Sequence, residues 1–157
     1  MLERQNFMSL LAKIPLFRGL GPRECGEILQ ISQQKSYKPG EKIFVAGTAG
    51  DEMLVLLKGR VKILISGGKE VARLEAIDTV GEMEVFGSSP RVADVVAEDE
   101  VSGLTMDSRA LSTLFKRDAP IGIQMLLNIV DNLAGKLAAA DQELAARLSH
   151  EPKEKRG

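Results

Sequence analysis

The stretch from Val80 to Ala97, VGEMEVFGSSPRVADVVA, constrains the fold of this chain more than any other. It opens on Gly81-Glu82, runs through a segment long enough for one or two helical turns, breaks at Gly87-Ser88-Ser89-Pro90 and reads as a strand from Arg91 to Ala97. Glycine at position 81 permits close backbone approach. A helix starting just after it presents amide N–H groups with no intrahelical partner, which suits an anion. Arg91 supplies a planar, forked cation able to hold two phosphate oxygens. Glu82 is an acceptor beside that anion, suited to the hydrogens of sugar hydroxyls rather than to phosphate. The residues therefore describe a pocket for a sugar phosphate that also carries hydroxyls. The plainer use of the Glu82 and Arg91 pair is a salt bridge or cap within a turn.

The surrounding sequence predicts how that pocket is held. Leu2 to Lys13 carries Leu2, Phe7, Leu10 and Leu11 at helical spacing, and Pro15 ends it. Gly21-Pro22 starts a second helix with Cys25, Ile28, Leu29 and Ile31 as its inward stripe. From Gln34 the period changes from 3.6 to 2. Strands are predicted at Glu41–Ala46, Met53–Leu57, Val61–Ile65, Glu70–Ile77 and Val101–Met106, separated by turns such as Pro39-Gly40 and Gly67-Gly68. Short strands at about ten-residue spacing indicate a sandwich or roll. Asp107 or Ser108 caps a short helix with Leu111, Leu114 and Phe115 inward, and Pro120 begins a long helix reaching about Leu148.

Two ordered motifs resemble the cyclic nucleotide-binding domain family. The first is IFVAGTAGDEMLVLLKG, where Gly47, Gly50, Met53, Leu54, Val55, Leu56 and Gly59 fit the family's spacing. The second is the opening stretch, similar to the family's phosphate-binding cassette, where Val80, Gly81, Glu82, Val85, Arg91, Ala93, Val95 and Ala97 fit. The resemblance covers roughly residues 14 to 140 and implies a mainly β α+β fold: a double-stranded β-helix, or jelly-roll-like β-roll, flanked by N-terminal helices and a long C-terminal helix. It implies a ligand, cyclic AMP or cyclic GMP, held by Gly81, Glu82, Met83, Glu84, Val85, Arg91, Val92 and Ala93. Amide N–H groups near Met83 to Val85 and Arg91 would take the phosphate, and Glu82 the ribose hydroxyl. The base would lie between the roll and the long helix, near the apolar Leu133, Leu137 and Ala138, with Asn132 and Lys136 close by.

Two cassette positions depart from the family. Glu84 replaces a small residue and adds a third acidic group beside Glu82 and Asp94; Val92 replaces a small or hydroxyl residue. A carboxylate ~5 Å from the phosphate costs roughly 3 kcal/mol at an effective dielectric of ~20, about a hundredfold in affinity. If Glu84 points to solvent, screening removes most of this. Loss of a hydroxyl at Val92 costs about 1 kcal/mol. These departures define a second reading, a degenerate fold used as a dimerisation or docking scaffold without nucleotide binding.

On the long helix, Leu126, Val130, Leu133, Leu137, Ala140 and Leu144 alternate four and three apart. That heptad seam predicts a homodimer through this helix, or docking of a partner protein. One domain is expected over residues 1–148, with helix 120–148 and a polar tail at 149–157. Residues 149–157 are not expected to form a winged helix-turn-helix. With 21 basic against 22 acidic residues, no affinity for nucleic acid is expected. Cys25 is the only cysteine, so no internal disulfide can form and a reducing, cytoplasmic setting fits. No signal peptide or membrane-length apolar run is expected from the sequence. No nucleophile sits beside a base, and the single histidine, His150, lacks companion ligands, so neither catalysis nor metal binding is expected.

Overall fold

The computed structural model describes residues 2–150. Its strands are β1 (Gln33–Tyr37), β2 (Lys42–Phe44), β3 (Glu52–Lys58), β4 (Arg60–Ile65), β5 (Lys69–Glu75), β6 (Asp78–Val80), β7 (Asp94–Ala97) and β8 (Val101–Asp107). Its α-helices are α1 (Leu2–Leu11), α2 (Pro22–Gln30), α3 (Glu82–Gly87), α4 (Ser108–Arg117) and α5 (Ala119–His150). The strands form two antiparallel four-stranded sheets, ordered β1-β8-β3-β6 and β2-β7-β4-β5. This is the β-roll with flanking helices that the sequence predicts.

The apolar run of β3 shows why two layers suffice. Met53, Leu54, Val55 and Leu56 are all fully buried, which a strand achieves only when both faces are covered. Leu54 and Leu56 point between the sheets with Phe44, Val61, Val80, Val95, Ala97 and Val101. Met53 and Val55 point the other way and, with Leu104 and Met106 of β8, meet the helices through Leu11, Ile28, Leu111, Leu114, Ile121 and Met125. The register agrees, with Met53 opposite Met106 and Val55 opposite Leu104. One sheet thus separates an inter-sheet core from a helical core.

Several expectations are corrected at the edges. The strand expected from Arg91 begins only at Asp94; Arg91 instead bonds the Gly47–Thr48 turn through its backbone, accepting from the Gly47 N–H and donating to the Thr48 carbonyl. Val71 and Ile65, expected inward by alternation, are exposed. Strand β5 is a sheet edge, and its Lys69, Glu70, Arg73 and Glu75 are the charges that discourage edge pairing. Leu133, expected on the dimer seam, is partly buried against the helical core.

Helix α5 changes environment along its length. Ile121, Met125 and Ile129 are buried, and the Asn128 side-chain amide donates to the carbonyls of Leu16 and Arg18, both at 2.8 Å. From Ala134 to His150 every residue is exposed, including Leu137, Leu144 and Leu148. Ser149 and His150, expected in the tail, are helical; the rest of the expected tail, residues 151–157, lies outside the described residues. No described helix is long and apolar enough to cross a membrane.

Of the two predicted caps of α4, Asp107 is the one used, its Oδ1 accepting from the Ala110 N–H at 2.7 Å. Asp107→Ala should lower stability by about 1 kcal/mol. Urea denaturation checks this: the midpoint falls at constant slope, whereas an unchanged midpoint would show that the cap contributes nothing.

Candidate functional site

The cleft lies where α3 meets the ends of β2 and β6 and the extended segment 91–93. Gly81 has φ +85°, and a side chain there would collide with Arg91 Nη1 and the Phe44 ring. Glycine is thus required twice, by the left-handed backbone and by the arginine lying on it. Helix α3 follows directly, leaving the first-turn N–H groups of Glu82, Met83 and Glu84 without intrahelical acceptors.

Arg91 is buried, at 5% exposure. Its guanidinium donates to the Glu52 carbonyl and to the Gly81 carbonyl at 3.3 Å, and it stacks over the Phe44 ring at 3.8 Å. Neutral groups cannot balance a buried cation, and here Glu84 does so: its Oε2 lies 3.3 Å from Arg91 Nη1. Of the two orientations open to Glu84 in the sequence, the structure has the inward one. Gly50 leaves room for α3 to lie this close, since a side chain there would overlap Glu84 Cβ and the Ser89 carbonyl oxygen.

Glu82 faces Arg91 across the cleft and is also buried, at 5% exposure. Burial pushes its carboxyl above the ordinary glutamate value; its own backbone amide and Lys136 pull it back, while Asp78 and Glu84 add to the rise. Lys136 Nζ, on α5, stands 3.8 Å from Glu82 Oε1. A cavity of about 190 Å³ opens between these groups, lined also by Ile63, Leu74, Thr79 and Val95.

The structure brings Gly81, Glu82, Met83, Glu84, Arg91, Val92 and Ala93 together on this cavity. Met83 and Val92 are exposed at its mouth. The Val85 side chain is turned away into the helical core, leaving only its backbone for a ligand. Asp94, expected to add charge here, accepts from the Ala46 N–H and pairs with Lys42 instead, and these partners hold its carboxyl below the usual range. On α5 the cleft-facing residue is Lys136 rather than the expected Leu133, Leu137 or Ala138. Counting along a helix cannot fix its rotation, so sequence reasoning placed Lys136 only as a neighbour. It missed Phe44, Ile63, Leu74 and Thr79 altogether, although the strand alternation that points Phe44 and Ile63 inward was a usable signal.

Comparison with known proteins agrees with this geometry. The model of the cyclic nucleotide-binding domain family matches residues 34–118, more than half of the chain. The chain is 32% identical over 138 residues to the cyclic AMP receptor protein of Thermus thermophilus, covering 83% of this chain and 60% of that one. It is 27% identical over 140 residues to a CRP-like cAMP-activated global transcriptional regulator of Mycobacterium tuberculosis, covering 87% and 61%. A cyclic nucleotide-binding domain from Methylobacillus flagellatus superposes with a TM-score of 0.80 at 20% identity over 93% of this chain and 84% of that one, a likeness of fold. The chain thus spans about three fifths of the length of the two bacterial regulators.

The Glu82 carboxyl, with its folded pKa raised by burial, favours folding while protonated. That contribution is lost as pH rises through the folded value. Near neutrality the buried charge therefore costs stability. Glu82→Gln should melt higher than the parent at pH 7, and the gap should close as pH falls below the carboxylate range. Thermal melts across that range check it; a Gln variant less stable at pH 7 would show that the pairing with Lys136 outweighs burial.

Proposed function

We propose, from the premise that this chain belongs to the cyclic nucleotide-binding domain family, that it is a regulatory sensor of cyclic AMP or cyclic GMP in the cytoplasm. The observation that carries this reading is a buried arginine opposite a buried glutamate on one cleft. The guanidinium and the first-turn amides of α3 suit a cyclic phosphate. Glu82 suits a ribose hydroxyl, which can donate to it whether or not Lys136 remains close. Glu84 occupies the place a phosphate oxygen would take on Arg91, so binding requires that carboxylate to move out. Ligand binding draws the cassette in and shifts α5 through Lys136, a population shift driven by differential affinity.

In this reading α5 is also the dimer helix. Leu126, Val130, Leu137 and Leu144 of the predicted seam are exposed, spaced four and then seven apart, the interval of a heptad. The second reading, a docking or dimerisation scaffold without nucleotide, is favoured by one observation: Arg91 already has its counter-ion in Glu84. In neither reading does the chain act as an enzyme.

Calorimetric titration with cyclic AMP and cyclic GMP separates the readings. A sensor binds one of them at micromolar strength or tighter. Arg91→Ala should weaken that binding by roughly 2 kcal/mol or more, the cost of a charge-assisted contact. Glu84→Ala should strengthen it, by up to about a hundredfold. Absence of heat with either nucleotide at millimolar concentration, in the parent and in Glu84→Ala alike, leaves only the scaffold. For the helix, Leu137→Glu should turn dimers into monomers in sedimentation without a change in the melt of the β-roll; a parent chain that is monomeric at tens of micromolar refutes the dimer.

A further inference from the structure

Helix α5 presents a ladder of exposed residues rotated from the predicted seam, which ran through the partly buried Leu133. Ile123, Leu127, Val130, Leu137, Leu144 and Leu148 are exposed, and the two rungs missing from their spacing are Ala134 and Asp141, also exposed. With these two, the steps alternate four and three from Ile123 to Leu148. The rungs fall into two sets, 123-130-137-144 and 127-134-141-148, each repeating every seven residues. At ~100° per residue, Ile123, Leu127 and Val130 lie about 150° around the helix from Met125, which is buried in the helical core. The ladder therefore faces away from the chain's own roll. A straight helix drifts by ~20° per heptad from a strict seven-residue repeat, whereas two supercoiled helices keep it. A second copy of this chain brings a ladder of the same length and period.

Asp141 is the one polar rung. Its neighbours a turn away on α5, Leu137, Ala138, Leu144 and Ala145, carry no charge. In an antiparallel pair the two sets of rungs face each other, and every rung of the 123-130-137-144 set is aliphatic. Asp141 would then be buried without a partner, which is strongly unfavourable. In a parallel pair in register it meets its own counterpart at the edge of the seam, where both carboxylates keep water. They still repel: at a separation of ~8 Å, the spacing of packed helix axes, and an effective dielectric of ~20, the pair is weakened about thirtyfold.

We propose that two copies of this chain pair through α5 in parallel along the ladder from Ile123 to Leu148, and that Asp141, set against Asp141 of the second copy, fixes the register and holds the pair weak. This rests on the dimer reading given above. A single polar rung that specifies alignment at a cost in stability is a known device of paired helices.

Sedimentation equilibrium of the full chain, alone and as mixtures of differently labelled chains, tests it. Asp141→Leu should dimerise about thirtyfold more tightly than the parent. Raising salt from ~0.1 M to ~1 M, where the screening length falls to ~3 Å, should tighten the parent more than Asp141→Leu. Asp141→Lys alone should pair as weakly as the parent, because like charges still meet. Mixed with the parent in equal amounts, it should form mixed dimers about tenfold or more above the statistical share, because opposite charges then meet. Circular-dichroism spectra of both variants should match the parent, as expected for an exposed side chain. A mixture that assorts statistically, or an Asp141→Leu dimer no tighter than a parent dimer that Leu137→Glu still breaks, would overturn the proposal and leave the dimer reading intact. A parent and an Asp141→Leu variant both monomeric at tens of micromolar would overturn both.

Discussion

The burial of Arg91 is the constraint on which the cassette depends. A guanidinium with 3% of its side chain exposed must find acceptors in fixed directions, and each acceptor here belongs to a different element. The Glu52 carbonyl opens β3, the Gly81 carbonyl precedes α3, and the Glu84 carboxylate lies within α3. Phe44 closes the remaining face from β2. Arg91 therefore ties the two sheets to the short helix at the point where the chain leaves β-structure. Glycine at 81 follows from the same requirement, because no other residue leaves room for the arginine.

That local knot gains its reach from the division of the two cores. Val85, one turn into α3, packs into the helical core with Ile121, Met125 and Ile129 of α5. Phe44 and Val80, on the other side, belong to the inter-sheet core. The path from α3 to the packed half of α5 runs through α4, since Phe86 of α3 stacks on Phe115 of α4 and α4 packs against α5. Beyond Leu133 every described residue of α5 is exposed, and Lys136 there stands beside Glu82.

The β-roll and the glycine–glutamate–arginine set were legible because each rests on local rules: period-two alternation, turn residues and a motif of fixed spacing. The parts that were not legible depend on direction in space. Alternation marked Val71 as inward, but it cannot show that β5 is an edge without a neighbour to cover it. The seam on α5 included Leu133, which the helical core partly claims instead. Lys136 and Leu137 are adjacent in sequence and lie about 100° apart around the helix, so a small error in rotation exchanges a charged cleft for an apolar one. The direction of Glu84 was open between solvent and arginine because no local rule fixes its rotamer; in the structure it lies on Arg91.

The resting cleft satisfies its own charges, and this sets how any ligand must act on it. Arg91 holds Glu84, and Lys136 stands near Glu82, so two cations face two carboxylates. An unpaired buried guanidinium would be strongly unfavourable; the Glu84 contact removes that penalty before a ligand arrives. A phosphate on Arg91 consequently exchanges one anion for another, and its gain is the difference between the two contacts plus the hydration recovered by Glu84. Such a site binds more weakly than an empty one of the same shape; in the proposed sensor the two contacts link it to α3 through Glu84 and to α5 through Lys136. Because a ligand shifts an equilibrium only by its differential affinity for the two states, any coupling of the proposed sensor's cleft to α5 has to run through these two contacts.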